Sequence, residues 1–161
     1  MTIKELQDTL NERLKKFEGQ RYEGKASIPD YHKWYKSEIE AALADLEIRF
    51  FRVATWKIVA EIDGPGEVRV SFETVASVEL DIKRDRRYKH DGPGEVKSIL
   101  VRFREGLQNM TIEEARVFLL KKDLKARIAY YKGERERLAV ELETMIGKIA
   151  DLEAITIEEA T

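Results

Sequence analysis

From Thr111 onward, apolar residues recur in steps of three, four and seven: Val117, Leu120, Leu124, Ile128, Tyr131, Leu138, Leu142, Met145, Ile149 and Leu152. A spacing that averages 3.5 residues belongs to a helix and holds one narrow stripe in line for about five heptads. Thr111-Ile-Glu-Glu114 has the capping-box spacing that starts such a helix. The pattern therefore predicts a long, coiled-coil-like C-terminal helix over 111–155. At 1.5 Å per residue the helix is about 65 Å long, and a narrow apolar seam of that length is not stable alone in water. The stripe thus predicts a partner surface along its length.

The charges on this segment indicate which partner. Residues 116–137 hold eight Lys/Arg against three Asp/Glu, and residues 138–161 hold one Lys against six acids, so the halves carry +5 and −5. A helix macrodipole favours acids early and bases late, so local helix stability does not explain this order. Two copies laid head to tail set each basic half beside an acidic half, whereas a parallel pair stacks like on like. The expectation is an antiparallel homodimer with Leu124, Ile128, Tyr131, Leu138, Leu142, Met145, Ile149 and Leu152 as the oligomer seam. An alternative uses the same charges within one chain, with Gly133 ending one helix and 134–155 folding back. The heptad phase runs unbroken across Gly133 and favours a continuous helix.

The rest of the chain reads as two amphipathic helices followed by a sheet. Thr2 and Glu5 form a capping box ahead of Ile3, Leu6, Leu10, Leu14 and Phe17, and Gly19 stops that helix. A second helix starts near Asp30, with Tyr31, Tyr35, Ile39, Ala42, Leu43 and Leu46 at helical spacing. The period then becomes two: Trp56, Ile58, Ala60 and Ile62 alternate, as do Val68, Val70, Phe72, Thr74, Ala76, Val78, Leu80 and Ile82. Asp-Gly-Pro-Gly-Glu-Val occurs at 63–68 and again at 91–96, followed by Arg69 and Lys97. Proline then glycine at the centre of each copy suits a type II turn, the glycine taking positive φ. Two antiparallel hairpins, 51–75 and 77–104, follow. The predicted fold class is α+β in a single domain, 1–161, with a helical part (1–49), an antiparallel β part (50–105) and the long helix. This order of helices, paired hairpins and a terminal coiled-coil helix resembles the layout of an α-type prefoldin subunit. The resemblance is one of topology, carried by no residue motif, and assigns no family.

Composition excludes several classes. With 43% apolar and 37% charged residues the chain folds rather than remaining a polar tail, and its 161 residues can bury a core without staples. It has no cysteine, which removes disulfides, thiol catalysis and thiolate metal sites, and with no signal-peptide layout at the start it suggests a cytoplasmic setting. No run of roughly 18 to 20 apolar residues exists to span a membrane. A net charge of −2 gives no global nucleic-acid footprint.

A local footprint does exist at 83–90, where Lys83, Arg84, Arg86, Arg87 and Lys89 surround Tyr88 and could grip phosphates and stack a base. The same charges also suit a solvated connection or a protected sheet edge. Asp63 with Glu67, and Asp91 with Glu95, supply too few oxygens for calcium, and His32 and His90 lack a second ligand at metal spacing. His32 sits among Tyr31, Trp34 and Tyr35, a group that reads as core. No serine lies in a nucleophile-elbow context. No catalytic residue, metal or cofactor is assigned. The functional expectation is a non-enzymatic interaction or assembly protein that homodimerises through its last helix and binds a protein partner. The alternative is a nucleic-acid-binding accessory or regulatory protein using the 83–90 segment.

Overall fold

The computed structural model describes residues 1–22, 28–63, 69–71, 75–83 and 94–159, with 22, 28–31, 62, 63, 69–71 and 156–159 described by backbone alone. The protein is α+β. Its elements are α1 (Ile3–Leu14) with a 3-10 turn (Lys15–Phe17), β1 (Arg21–Tyr22), α2 (Ile28–Asp45), β2 (Phe51–Ala54), β3 (Lys57–Asp63), β4 (Arg69–Ser71), β5 (Ala76–Lys83), β6 (Gly94–Phe103), α3 (Glu105–Gln108) and α4 (Ile112–Glu159). The strands form one antiparallel sheet in the order β1-β6-β5-β3-β2, with β4 paired to β3. Two compact units divide the chain, Met1–Leu120 and Lys121–Thr161.

In the first unit both capping boxes form as their spacing predicts. The Glu5 amide donates to Thr2 Oγ1 (3.2 Å) while the Thr2 amide donates to Glu5 Oε2 (2.7 Å), and Thr111 with Glu114 repeats the pattern at 3.2 and 2.8 Å. These boxes lie side by side: Thr2 bridges Thr111, and the Ile3 amide donates to the Met110 carbonyl at 2.9 Å. The start of α4 is thus fixed by the first residues of the chain. Ile3, Leu6, Leu10 and Leu14 are fully buried, one face of α1. Each such side chain contributes about 1.5 to 3 kcal/mol by leaving water.

Along the edge of β6 that β1 leaves unpaired, α1 supplies the missing partners. Asn11 accepts from the Val101 amide (2.7 Å) and donates to its carbonyl (3.2 Å), and Gln7 accepts from the Phe103 amide (2.9 Å). Two amide side chains one helical turn apart therefore complete a strand edge that would otherwise invite pairing with another chain. Phe51, Val53, Ile58, Ala60, Ala76, Val78, Val96, Ile99, Val101 and Phe103 form the sheet's contribution to the core, joined by Tyr35, Ile39, Ala42 and Leu43 of α2. The opposite face carries ion pairs, Arg52 with Glu61, Arg102 with Glu79 (3.4 Å) and Lys97 with Asp81 (3.6 Å), together with the buried Val59.

Several local details depart from the sequence reading. Trp56 does not open an alternating strand: Thr55 and Trp56 are the two-residue turn between β2 and β3, and Trp56 is largely exposed. Thr55 holds φ +55, a region that costs a β-branched residue energy, and the Tyr35 hydroxyl donates to its carbonyl at 3.0 Å. The alternation through 68–82 is interrupted, since β4 ends at Ser71 and both Val75 and Ala76 are buried. Gly94 lacks the positive φ of a type II turn and instead begins β6, where a Cβ would lie 2.5 Å from Ile82 Cγ2. Close approach, not turn geometry, is what requires glycine there. The first proline-glycine pair, Pro65-Gly66, lies outside the described residues. At the end of α2 the Ile48 amide donates to Leu43 and the Glu47 amide to Ala44 (both 2.9 Å), a Schellman closure with Glu47 at φ +56 where glycine is usual.

Candidate functional site

The second unit is the greater part of α4. The helix runs from Ile112 to Glu159 through Gly133 without a break, so the fold-back alternative does not occur. Its first turns anchor in the core of the first unit through Ala115 and Leu119, with Ile112 and Leu120 partly buried. This anchoring stripe is not the heptad stripe. Ala115 and Leu119 each stand about 200° of helix rotation from Val117, and Val117 is exposed. Val117 and Leu120, which the spacing sets in the heptad stripe ahead of the seam, therefore part company: Leu120 packs on the core and Val117 faces water.

From Leu124 to Leu152 the apolar side chains of the stripe are exposed. Leu124 is 40% exposed, and Ile128, Tyr131, Leu138, Leu142, Met145, Ile149 and Leu152 are 53 to 66% exposed. Their positions alternate strictly by four and three: 124, 128, 131, 135, 138, 142, 145, 149, 152. In coiled-coil terms Leu124, Tyr131, Leu138, Met145 and Leu152 occupy one core position of successive heptads, and Ile128, Arg135, Leu142 and Ile149 the other. Arg135 is the single charged residue in the series, and a stripe defined by apolar residues alone omits it. Gly133 and Gly147 fall on the outward side, where a Cβ would meet nothing within 4 Å.

The ion pairs that Arg127 and Arg137 make along α4 join residues three or four apart, and Asp123 is buried. Arg127 binds Asp123 (2.8 Å), and Arg137 spans Glu134 (2.9 Å) and Glu141 (2.5 Å). Hydrogen bonding to Arg137 lowers the pKa of Glu134 and raises that of the guanidinium. Glu5 and Glu114 are lowered for another reason, backbone hydrogen bonds from their capping partners. Among the described residues the acids whose pKa shifts, Glu5, Glu114 and Glu134, all shift down, because each carboxylate accepts hydrogen bonds that favour its charged form.

An open cleft of about 560 Å³ in the first unit is lined by Leu46, Ile48, Phe50, Arg49, Glu61 and Arg116 among others. Two of its carboxylates are engaged, Glu61 with Arg52 and Glu113 with Arg116, and Glu47 lines it as well. Among the described residues no three His, Asp or Glu side chains converge as a metal site would require. His32 packs edge-on to Tyr35 at 5.5 Å, and burial holds its pKa below the ordinary value. Of the basic segment, Lys83 closes β5 opposite Glu95, and Arg84, Arg86, Arg87, Tyr88 and Lys89 lie outside the described residues. Among the described residues no helix is long and apolar enough to cross a membrane. No protein-family model, curated protein or solved structure matches the chain.

Proposed function

We propose that the protein is a non-enzymatic assembly protein that homodimerises through α4 in the antiparallel sense and uses its β unit to hold a protein partner. The observation that carries the reading is the exposed stripe from Leu124 to Leu152 on a helix whose halves carry +5 and −5. A row of apolar side chains this long and this exposed calls for a cover. A second copy supplies a matching stripe and, when reversed, sets each basic half beside an acidic half. A parallel copy supplies the stripe and the wrong charge. The outer face of the sheet, with its ion pairs, is the surface assigned to the partner, because the other face is occupied by the core. Light scattering across a concentration series tests the first half of the reading: the expected mass is twice the chain mass of 18.7 kDa, and a monomer at high concentration rules it out.

A further inference from the structure

We propose that the two copies meet in one register, with the two-fold axis beside Val140, so that Ile128 faces Leu152, Tyr131 faces Ile149, Arg135 faces Met145 and Leu138 faces Leu142 of the second copy. The inference rests on the antiparallel reading above and adds to it which residue meets which. In an antiparallel pair each core layer joins one of the two heptad series to the other, so allowed registers differ by whole heptads. Three registers keep a substantial overlap, and they differ in what they oppose.

Centring on Val140 sets Leu124 against Thr156 and makes apolar layers of Ile128 with Leu152, Tyr131 with Ile149 and Leu138 with Leu142, each occurring twice by symmetry. Beside that core, Lys125 meets Glu153 and Glu134 meets Lys148. Arg135 can lay its methylene stem along the adaptable Met145 side chain and carry its guanidinium to the rim. There the two Glu141 residues approach one another at the axis, and each receives an Arg135 from the opposite copy in addition to its own Arg137, which lies 2.5 Å away. The one charged residue in the seam thus answers the one like-charge contact this register creates. Sliding one heptad in the first direction sets Lys121 against Leu152, Arg127 beside Lys148 and Glu134 beside Glu141. Sliding one heptad the other way sets Tyr131 against Thr156 and Ile128 against Glu159, leaving only Leu138 with Ile149 and Leu142 with Met145 as apolar layers. The first slide is opposed by charge and the second by lost burial, so specificity comes from the penalties of the alternatives as well as from the chosen contacts.

The absence of cysteine makes the register directly readable by single introduced thiols. A disulfide needs Cα atoms about 4.4 to 6.8 Å apart, which facing core positions meet and positions a heptad away do not. Full-length Ile128→Cys and Leu152→Cys are mixed, allowed to exchange subunits, oxidised and run on a non-reducing gel, with Leu138→Cys and Leu142→Cys as a second pair should the first disturb folding. The expected result is a covalent dimer in each mixture and none from any single variant alone. Linking of Ile128→Cys to Met145→Cys, or of any variant to itself, overturns the register while leaving a dimer. A monomeric unsubstituted chain by light scattering overturns the pairing underneath it.

Discussion

Replacing Leu142 by Ala should weaken self-association strongly, whereas replacing Val140 by Ala, two residues earlier, should leave it unchanged. In the single chain Leu142 is 56% exposed and Val140 64%, so exposure does not distinguish them. Their positions do: Leu142 lies in the heptad seam and Val140 on the outward side. Fully burying a leucine is worth about 1.5 to 3 kcal/mol. Pairing covers only the 56% still exposed, or about 0.8 to 1.7 kcal/mol per copy. Both copies lose the side chain at once, so the dimer is weakened by about 1.7 to 3.4 kcal/mol, roughly a 15- to 300-fold rise in dissociation constant at 1.4 kcal/mol per decade. The cavity left against Leu138 of the second copy adds to this and the retained β-carbon subtracts from it. Sedimentation equilibrium over a wide concentration range measures both variants against the unsubstituted chain. Equal dissociation constants for the two variants, or a larger effect for Val140→Ala, would refute the assignment of the seam.

Other expectations follow from the first unit and from the helix itself. Gly94→Ala places a Cβ 2.5 Å from Ile82 Cγ2 and should destabilise the sheet by about 1 to 3 kcal/mol in urea unfolding. Gly133→Ala meets nothing within 4 Å and should stabilise α4 by about 1 kcal/mol without altering the dimer mass. A loss of helix signal on heating at lower temperature than the parent would instead mark Gly133 as a needed hinge. Burial pushes the Tyr35 hydroxyl from 10.0 up to about 12. Its raised pKa means that the folded state holds a proton the unfolded chain gives up, so the stability it contributes is full below pH 10 and lost as the pH rises towards 12. Comparing the parent with Tyr35→Phe over that range isolates this slope from the titration of the lysines, and identical slopes would refute it.

The elements whose signal is local were legible in the sequence. Thr2 with Glu5 and Thr111 with Glu114 mark helix starts by a fixed spacing, and the stripes Ile3 to Leu14 and Leu124 to Leu152 mark a face by period alone. What could not be read depends on where distant segments meet. Asn11 and Gln7 look like ordinary polar helix residues until β6 arrives beside them. Gly94 reads as a turn glycine because its proline neighbour suits a turn, and only the approach of Ile82 shows why a side chain is excluded. The bulge in β6 sits between: pairing steps from Asp81 with Ser98 to Ile82 with Val96, leaving Lys97 over. Its sign was present in the three-residue step from Val96 to Ile99, where an unbroken strand would step by two. In α4, Ala115 and Leu119 were hidden by their small number beside the longer stripe, and Arg135 by being charged.

The most direct measurement of antiparallel pairing is the distance between spin labels attached to a single introduced cysteine, Ala126→Cys, on the outward side of the basic half. With the axis beside Val140, residue 126 lies level with residue 154 of the second copy. Twenty-eight residues at 1.5 Å each then separate the two labels by about 42 Å along the helices. A single distance near that value is the expected result. A distance below about 20 Å would show the copies parallel and in register, and the absence of any dipolar coupling beyond that of a dispersed monomer would show that α4 does not pair with itself.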